Sequence, residues 1–118
     1  WRKMLGGGWR QAGIVASAGL YALEHNIDRL SQDHNNALLL SKLLDQIDGL
    51  IIDKPRERTN MVFVTVPEDI LPNLTSKLRK AGILISCEYN PIRLVTHLDI
   101  DESAIYRSVD AFRHALSN

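Results

Sequence analysis

Two stretches of the chain have residue types and spacing suited to chemistry. The first is Arg2-Lys3-Met4-Leu5-Gly6-Gly7-Gly8-Trp9-Arg10-Gln11-Ala12-Gly13. Three consecutive glycines carry no Cβ atoms, so the backbone there can take positive φ and let another group come close. Lys3 and Arg10 flank the glycines, one on each side. An apolar, alanine-rich run from Ala12 to Leu23 follows and reads as a helix. The order is a cation, a bare turn, and a second cation at a helix N-terminus. Backbone N–H groups and the helix dipole at such a place favour an anion. The competing reading is a flexible connector with incidental charges, because glycine runs are common in loops.

The second is Arg93, inside the apolar run Ile92-Arg93-Leu94-Val95-Thr96-His97-Leu98. Side chains alternate along a strand, so Arg93, Val95 and His97 share one face. A guanidinium in a sheet needs an anionic partner or an opening to a cleft. Its planar fork matches a carboxylate through two parallel hydrogen bonds. Arg93 either holds the carboxylate of a small substrate or serves structure, pairing with an acid such as Glu88 or emerging at a sheet edge. His97 reads as a core histidine donating one hydrogen bond, or as a group titrating near neutrality. His25, His34 and His114 show no metal-ligand spacing. Cys87 has no activating base beside it and reads as a buried structural thiol. No Gly-x-Ser-x-Gly, phosphate-binding Walker loop or Cys-x-x-Cys is present. Asn60 precedes a strong strand, where it can reach a cleft or hydrogen-bond its own turn.

Helical and strand periods place these residues. Helix one is expected from about Arg10 to Glu24, apolar almost all round and therefore covered on all sides. Its small residues, among them Gly13, Ala16 and Gly19, would admit a second backbone closely. A partner is expected to cover it, either another part of the same chain or a second subunit. Helix two is expected to start after Asn26 as N-cap and to run through Ile47. Leu30, Ala37, Leu40, Leu44 and Ile47 form its inner stripe, while Asp28, Gln32, Asp33, Asn35 and Asn36 face water. Leu50-Ile51-Ile52 reads as a short buried strand, and 53–58 as a polar loop. Met61 to Val66, apolar on both faces, reads as a central strand. Helix three covers Asp69 to Lys80, with Gly82 at a left-handed C-terminal cap. Ile83–Ser86 and Ile92–Leu98 are the third and fourth strands. Asp101 caps a last helix carrying Ile105, Val109, Phe112 and Leu116 inward. The fold class expected is α/β of the small α+β type, a mostly antiparallel sheet of three or four strands with helices on one side.

Composition bounds the rest. The chain has 118 residues, 45% hydrophobic and 24% charged, which implies a packed core. Fourteen basic side chains balance fourteen acidic ones, so no global field draws nucleic acid or anionic membrane. No apolar run approaches the length of a membrane span. One cysteine excludes an internal disulfide and fits a reducing compartment such as the cytoplasm. The chain opens on Trp1 rather than methionine and reads as a piece of something longer.

The segment Arg2 to Gly13 resembles the Arg-Lys-x-x-Gly-Gly-Gly-Met-Arg-Gln-x-Gly segment of low-specificity L-threonine aldolases. The resemblance continues through Tyr21-Ala22-Leu23, Arg29-Leu30, Asp33-His34, Thr59-Asn60-Met61-Val62-Phe63 and Arg93-Leu94-Val95-Thr96-His97-Leu98-Asp99, in order over essentially the whole chain. It implies the C-terminal third of a pyridoxal 5'-phosphate enzyme of fold type I, similar to aspartate aminotransferase, assembled as a tetramer of dimers. Such enzymes split L-threonine and L-allo-threonine into glycine and acetaldehyde, using the cofactor ring as an electron sink. By this resemblance Arg93 holds the substrate carboxylate. Lys3 and Arg10 lie near the cofactor, with Arg10 the better candidate for its phosphate, contributed across a subunit interface. Residues 1–25 would be the glycine turn and connecting helix of the large cofactor domain, and 26–118 the small domain. Partners implied are the N-terminal large domain, further copies of the chain through the helix at 10–24, and a small amino-acid substrate.

Trp9 departs from the methionine of many members, a larger group beside the turn. The lysine that carries the cofactor lies upstream of the triple glycine in this family, as do the histidines and aspartate that contact the ring. Lys3, Lys42, Lys54, Lys77 and Lys80 are not in that context, so no catalytic residue is assigned and the isolated chain is expected to be inactive. Two alternatives remain open: a non-catalytic module that binds a partner through helix one, and another pyridoxal-phosphate lyase such as a tyrosine phenol-lyase or a β-eliminating relative.

Overall fold

The computed structural model describes residues 1–53 and 59–117. Most of the polar loop expected at 53–58 lies outside the described residues. The elements run α1 (Gly13–His25), α2 (Leu30–Leu44), β1 (Ile51–Ile52), β2 (Met61–Thr65), α3 (Leu71–Lys80), β3 (Ile92–Val95) and α4 (Glu102–Ser117). The chain forms two compact units, Trp1–Leu30 and Ser31–Asn118.

In the first unit, residues 2–8 wind through tight turns before α1. Helix α1 begins at Gly13 rather than Arg10, and none of its residues is buried. Its N-cap, Ala12, offers no side-chain oxygen to the free amides of the first turn. Asn26 is not the N-cap of the next helix; it closes α1, its amide donating to the Ala22 carbonyl at 2.9 Å. Turns therefore fill 26–29, and α2 starts only at Leu30.

In the second unit, three antiparallel strands lie in the order β1-β2-β3, with β2 central as its apolar run implied. One sheet face is built from Ile52, Val62, Val64, Ile92 and Leu94. It packs with Leu40 and Leu44 of α2, Leu74 and Leu78 of α3, and Ile105, Val109 and Phe112 of α4. The helices therefore sit on one side. The opposite face carries Met61, Phe63, Arg93 and Val95, all exposed or half-buried. That alternation answers the two-faced apolar pattern of β2: one face makes the core and the other is only partly covered.

Local chemistry explains the element ends. Helix α3 carries a proline in its first turn, where no intrahelical donor is needed. It closes in a Schellman motif: Ile83 N–H donates to Leu78 O at 2.9 Å and Gly82 N–H to Arg79 O at 3.0 Å, with Gly82 at φ +79. Helix α4 opens on Asp101, whose Oδ1 accepts the Ala104 amide at 2.7 Å and the Ser103 hydroxyl at 2.8 Å.

Four further expectations are corrected. Helix α2 ends at Leu44; Ile47 is still buried, but from the turn that follows. Asp33 and Asn36 do not face water. Asp33 is only 4% exposed, and Asn36 is half-buried and donates to Ile100 O at 2.8 Å. Leu30, expected inside, is exposed. Ile83–Ser86 forms no strand, so the described residues hold three strands rather than four. No helix of the described residues is long and apolar enough to cross a membrane.

Candidate functional site

Arg93 stands where alternation places it, on the outer face of β3, opposite Phe63 of β2. Its neighbours along the strand, Ile92 and Leu94, are buried in the core and fix the backbone that carries it. No hydrogen bond or ion pair engages Arg93 among the described residues, so Glu88 is not its partner there. A groove of about 820 Å³ runs along the β3 edge, with Arg93, Val95 and His97 on one wall and Ile83 to Ser86 on another. Arg107 of α4 and Asp99 also reach it.

His97 is not a core histidine. Its side chain is half-exposed, and its Nδ1 accepts the Asp99 amide at 3.3 Å. The Asp99 carboxylate lies 3.7 Å from the same Nδ1.

The strand end carrying this site is locked by a buried polar junction. Thr96, 1% exposed, donates its hydroxyl to Asp33 O at 2.7 Å and its amide to Asn60 O at 2.9 Å. Asn60 returns a hydrogen bond from Nδ2 to Thr96 O at 2.8 Å. Asn60 therefore ties β2 to β3 and is engaged in structure. Neither Thr96 nor Asp33 stood out in the sequence. The available signal was a threonine on the apolar face of β3, in register with Ile92 and Leu94. At the other end of β2, Asn90 accepts the Val66 amide at 3.1 Å and donates to Val66 O at 2.8 Å, pinning the turn that leads into β3.

Lys3 and Arg10 lie in the first unit and Arg93 in the second. Both of the first pair are exposed, and neither side chain has a hydrogen bond or ion pair among the described residues. The glycine turn between them is tight. Gly6 sits at φ +84, and a Cβ on Gly7 would meet the Arg2 carbonyl oxygen at 3.0 Å. The amides of Gly6 and Gly7 already donate to Lys3 O and Arg2 O. The helix begins three residues beyond Arg10. The amides of Gly6 and Gly7 are therefore not free to meet an anion, and the two side chains are. Two uncommitted cations on either side of a turn are a donor set that suits a phosphate.

Cys87 is buried, 3% exposed, and burial pushes its thiol above the ordinary value against a smaller opposing hydrogen bond from Thr75. A thiol held neutral in this way is structural rather than reactive. His25 stacks on Tyr21, ring centroids 4.1 Å apart. No cluster of three potential metal ligands occurs among the described residues.

Comparison with known proteins adds the following. The chain is 43% identical over 106 residues to the low specificity L-threonine aldolase of Escherichia coli strain K12, an overlap of 89% of this chain and 30% of that protein. It is 36% identical over 120 positions to low-specificity L-threonine aldolase 1 of Arabidopsis thaliana, covering 98% of this chain and 33% of that one. A probable low-specificity L-threonine aldolase of Schizosaccharomyces pombe matches at 34% identity over 104 residues, 88% of this chain and 26% of its own length. The chain thus spans about a third or less of the relatives it matches. The beta-eliminating lyase family profile matches residues 1–68, which include the glycine turn with both its cations and the whole of β2. With more than half of its residues inside that match, the chain belongs to the beta-eliminating lyase family.

Proposed function

We propose that this chain is the C-terminal part of a pyridoxal-phosphate-dependent, low-specificity L-threonine aldolase that cleaves L-threonine and L-allo-threonine to glycine and acetaldehyde. The relatives' names support the reaction class. The observation that carries the residue-level reading is Arg93, a guanidinium at a groove with no hydrogen-bond or ion-pair partner among the described residues.

Arg93 binds the amino-acid carboxylate through its two parallel N–H bonds and so orients the bond to be broken. The flanking core residues Ile92 and Leu94 hold its backbone still. Lys3 and Arg10 neutralise the phosphate of the cofactor, with Arg10 reaching it across a subunit interface. Pyridoxal phosphate, when bound, supplies the electron sink for the chemistry at the substrate's Cα. Residues 1–25 belong with the large cofactor domain and 26–118 with the small domain, a reading supported by the compact unit that begins at Ser31. Copies of the chain associate through the helix at 10–24, supported by its apolar surface with no buried residue. The lone buried thiol suits the cytoplasm.

The test is Arg93→Ala in the full-length protein. A charged hydrogen-bonded contact is worth roughly 2–4 kcal/mol, so kcat/KM for threonine falls by about 30-fold or more, mainly through KM. Arg93→Lys keeps the charge, loses the fork, and recovers part of the loss. Unchanged kinetics in both variants refute the carboxylate role.

A further inference from the structure

Helices α3 and α4 leave a groove of about 450 Å³ between them, within the second unit and not lined by Arg93. Its floor is Ala111 and Ala115, both buried, and the small side chains leave the hollow open. Its walls are cationic. Lys77 and Lys80 stand one turn apart on α3, and Arg107 stands one turn before Ala111 on α4. The chain carries as many acids as bases, so this is a local concentration of charge rather than a global bias.

Neighbouring acids do not neutralise it. Asp110 lies on the lining, but its Oδ1 is taken by Arg113 at 3.1 Å. The cations differ in what they already hold. Lys77 donates Nζ to Ala115 O at 2.9 Å, which satisfies a carbonyl in the last turn of α4 and pins the two helices together. The side chain of Lys80 has no hydrogen bond or ion pair among the described residues. Arg107 donates Nη1 to Ser103 Oγ at 2.7 Å and forms no ion pair with a carboxylate among the described residues. A lysine in the last turn of a helix answers the helix dipole and needs no ligand. Arg107 has no such account. It lies inside α4, three residues before Asp110, a spacing that allows an ion pair, yet the pair is not made.

We infer that the α3–α4 groove binds a small organic phosphate, with the phosphoryl group between Lys80 and Arg107 and the apolar body over Ala111 and Ala115. A phosphate monoester near neutral pH carries close to two negative charges, which matches two uncommitted cations; a single carboxylate would leave one of them over. The planar fork of Arg107 suits two phosphate oxygens, and Lys80 adds a point charge. Ser103 holds one end of the guanidinium and so limits its freedom before a ligand arrives. The volume falls within the range of small-molecule pockets, roughly 300–1,000 Å³, and exceeds what inorganic phosphate fills. The alanine floor gives the remaining space an apolar lining. Nothing in this inference depends on the roles assigned to Arg93, Lys3 or Arg10.

Calorimetric titration of the full-length protein tests it, with the protein loaded with pyridoxal phosphate and then freed of excess, so that the cofactor does not compete. The probes are phenyl phosphate, inorganic phosphate and benzoate. Phenyl phosphate should bind at low salt with a Kd of about 1 mM or less, and about 5-fold or more tightly than either of the others. Lys80→Gln and Arg107→Gln should each weaken it about 5-fold or more. Both side chains are exposed, so the Tm should be unchanged and show that the fold is kept. Lys42→Gln removes an exposed cation from α2, outside the groove, and should leave the affinity as it was. Absence of phenyl phosphate binding overturns the site, including the case in which the remainder of a longer protein covers the groove. Benzoate binding as tightly overturns the phosphate, and inorganic phosphate binding as tightly overturns the organic body. Affinity unchanged in both Lys80→Gln and Arg107→Gln, or weakened equally in Lys42→Gln, shows that the probe lodges elsewhere and overturns the assignment.

Discussion

Single polar residues decide how firmly Arg93 is presented. Thr96 is the sharpest case: a buried hydroxyl on the core face of β3 holds the Asp33 carbonyl at 2.7 Å. Thr96→Val keeps the shape and removes the donor, so the Asp33 carbonyl loses this one hydrogen bond. It should destabilise the fold by about 0.5–1.5 kcal/mol, read as a lower denaturant midpoint with unchanged slope. Asp101 is a different case because it is exposed. The Ala104 amide, then the Ser103 hydroxyl, hold its carboxyl below the usual carboxylate value. Its folded value is the lower one, so its stabilising effect is full above the unfolded value. It is lost as pH falls through the lowered folded value. Asp101→Asn keeps an acceptor at the cap but cannot titrate. The Tm of the two proteins should run parallel above about pH 5 and converge only in more acid solution. Divergence near neutrality would show that Asp101 interacts through something other than its cap.

At the scale of elements, local signals were strong where one period and one terminator coincided. Helix α4 has an acidic cap and inward residues at helical spacing, and α3 has a proline at its start and Gly82 at its end. Both were readable. Elements went wrong where the deciding partner is distant in sequence. Asn26 looks like an N-cap from its neighbours, yet it closes α1 because the Ala22 carbonyl is free to accept its amide. Asp33 and Asn36 look solvated in a polar helix. They are buried or half-buried because the chain past β3 crosses them and takes Asp33 O and the Asn36 side chain as partners. Arg93 was legible as a charge in an apolar strand; its lack of a partner was not, since that depends on where Glu88 goes. The turn between α3 and β3 follows the same logic. Asn90 satisfies both main-chain groups of Val66 from 24 residues away. Asn90→Ala should cost about 1–2 kcal/mol and selectively raise exchange of the Val66 amide, while α4 amides keep their protection. Equal loss of protection in α4 would mean that the turn and the helices open as one unit.

The whole molecule divides its apolar surface unevenly. The second unit builds one core that buries side chains from α2, α3, α4 and the sheet, whereas α1 buries none and carries Ile14, Val15, Leu20, Tyr21 and Leu23 all exposed. Scattered exposed apolar residues need no explanation, but a run of them around a whole helix does. Glycine and alanine at positions 13, 16, 18 and 19 leave room for a close backbone, which suits packing against another helix. The chain covers about a third or less of its relatives' length, so both the remainder of a longer protein and a second copy are candidates to cover α1. The two differ in what they predict. Leu20→Arg sets a charge in the middle of the helix. If copies of the chain meet there, the full-length variant should sediment as a smaller species than the unaltered protein, with the shift growing on dilution. The stability of the Ser31–Asn118 unit should not change, because no residue of α1 belongs to its core. If instead the remainder of the same chain covers the helix, the assembly keeps its size and the variant unfolds at lower temperature, because the charge is then buried without a partner. Sedimentation velocity and thermal melting together separate these outcomes. An assembly of unchanged size and unchanged Tm would show that α1 meets water in the native protein and would remove the helix from the oligomer interface.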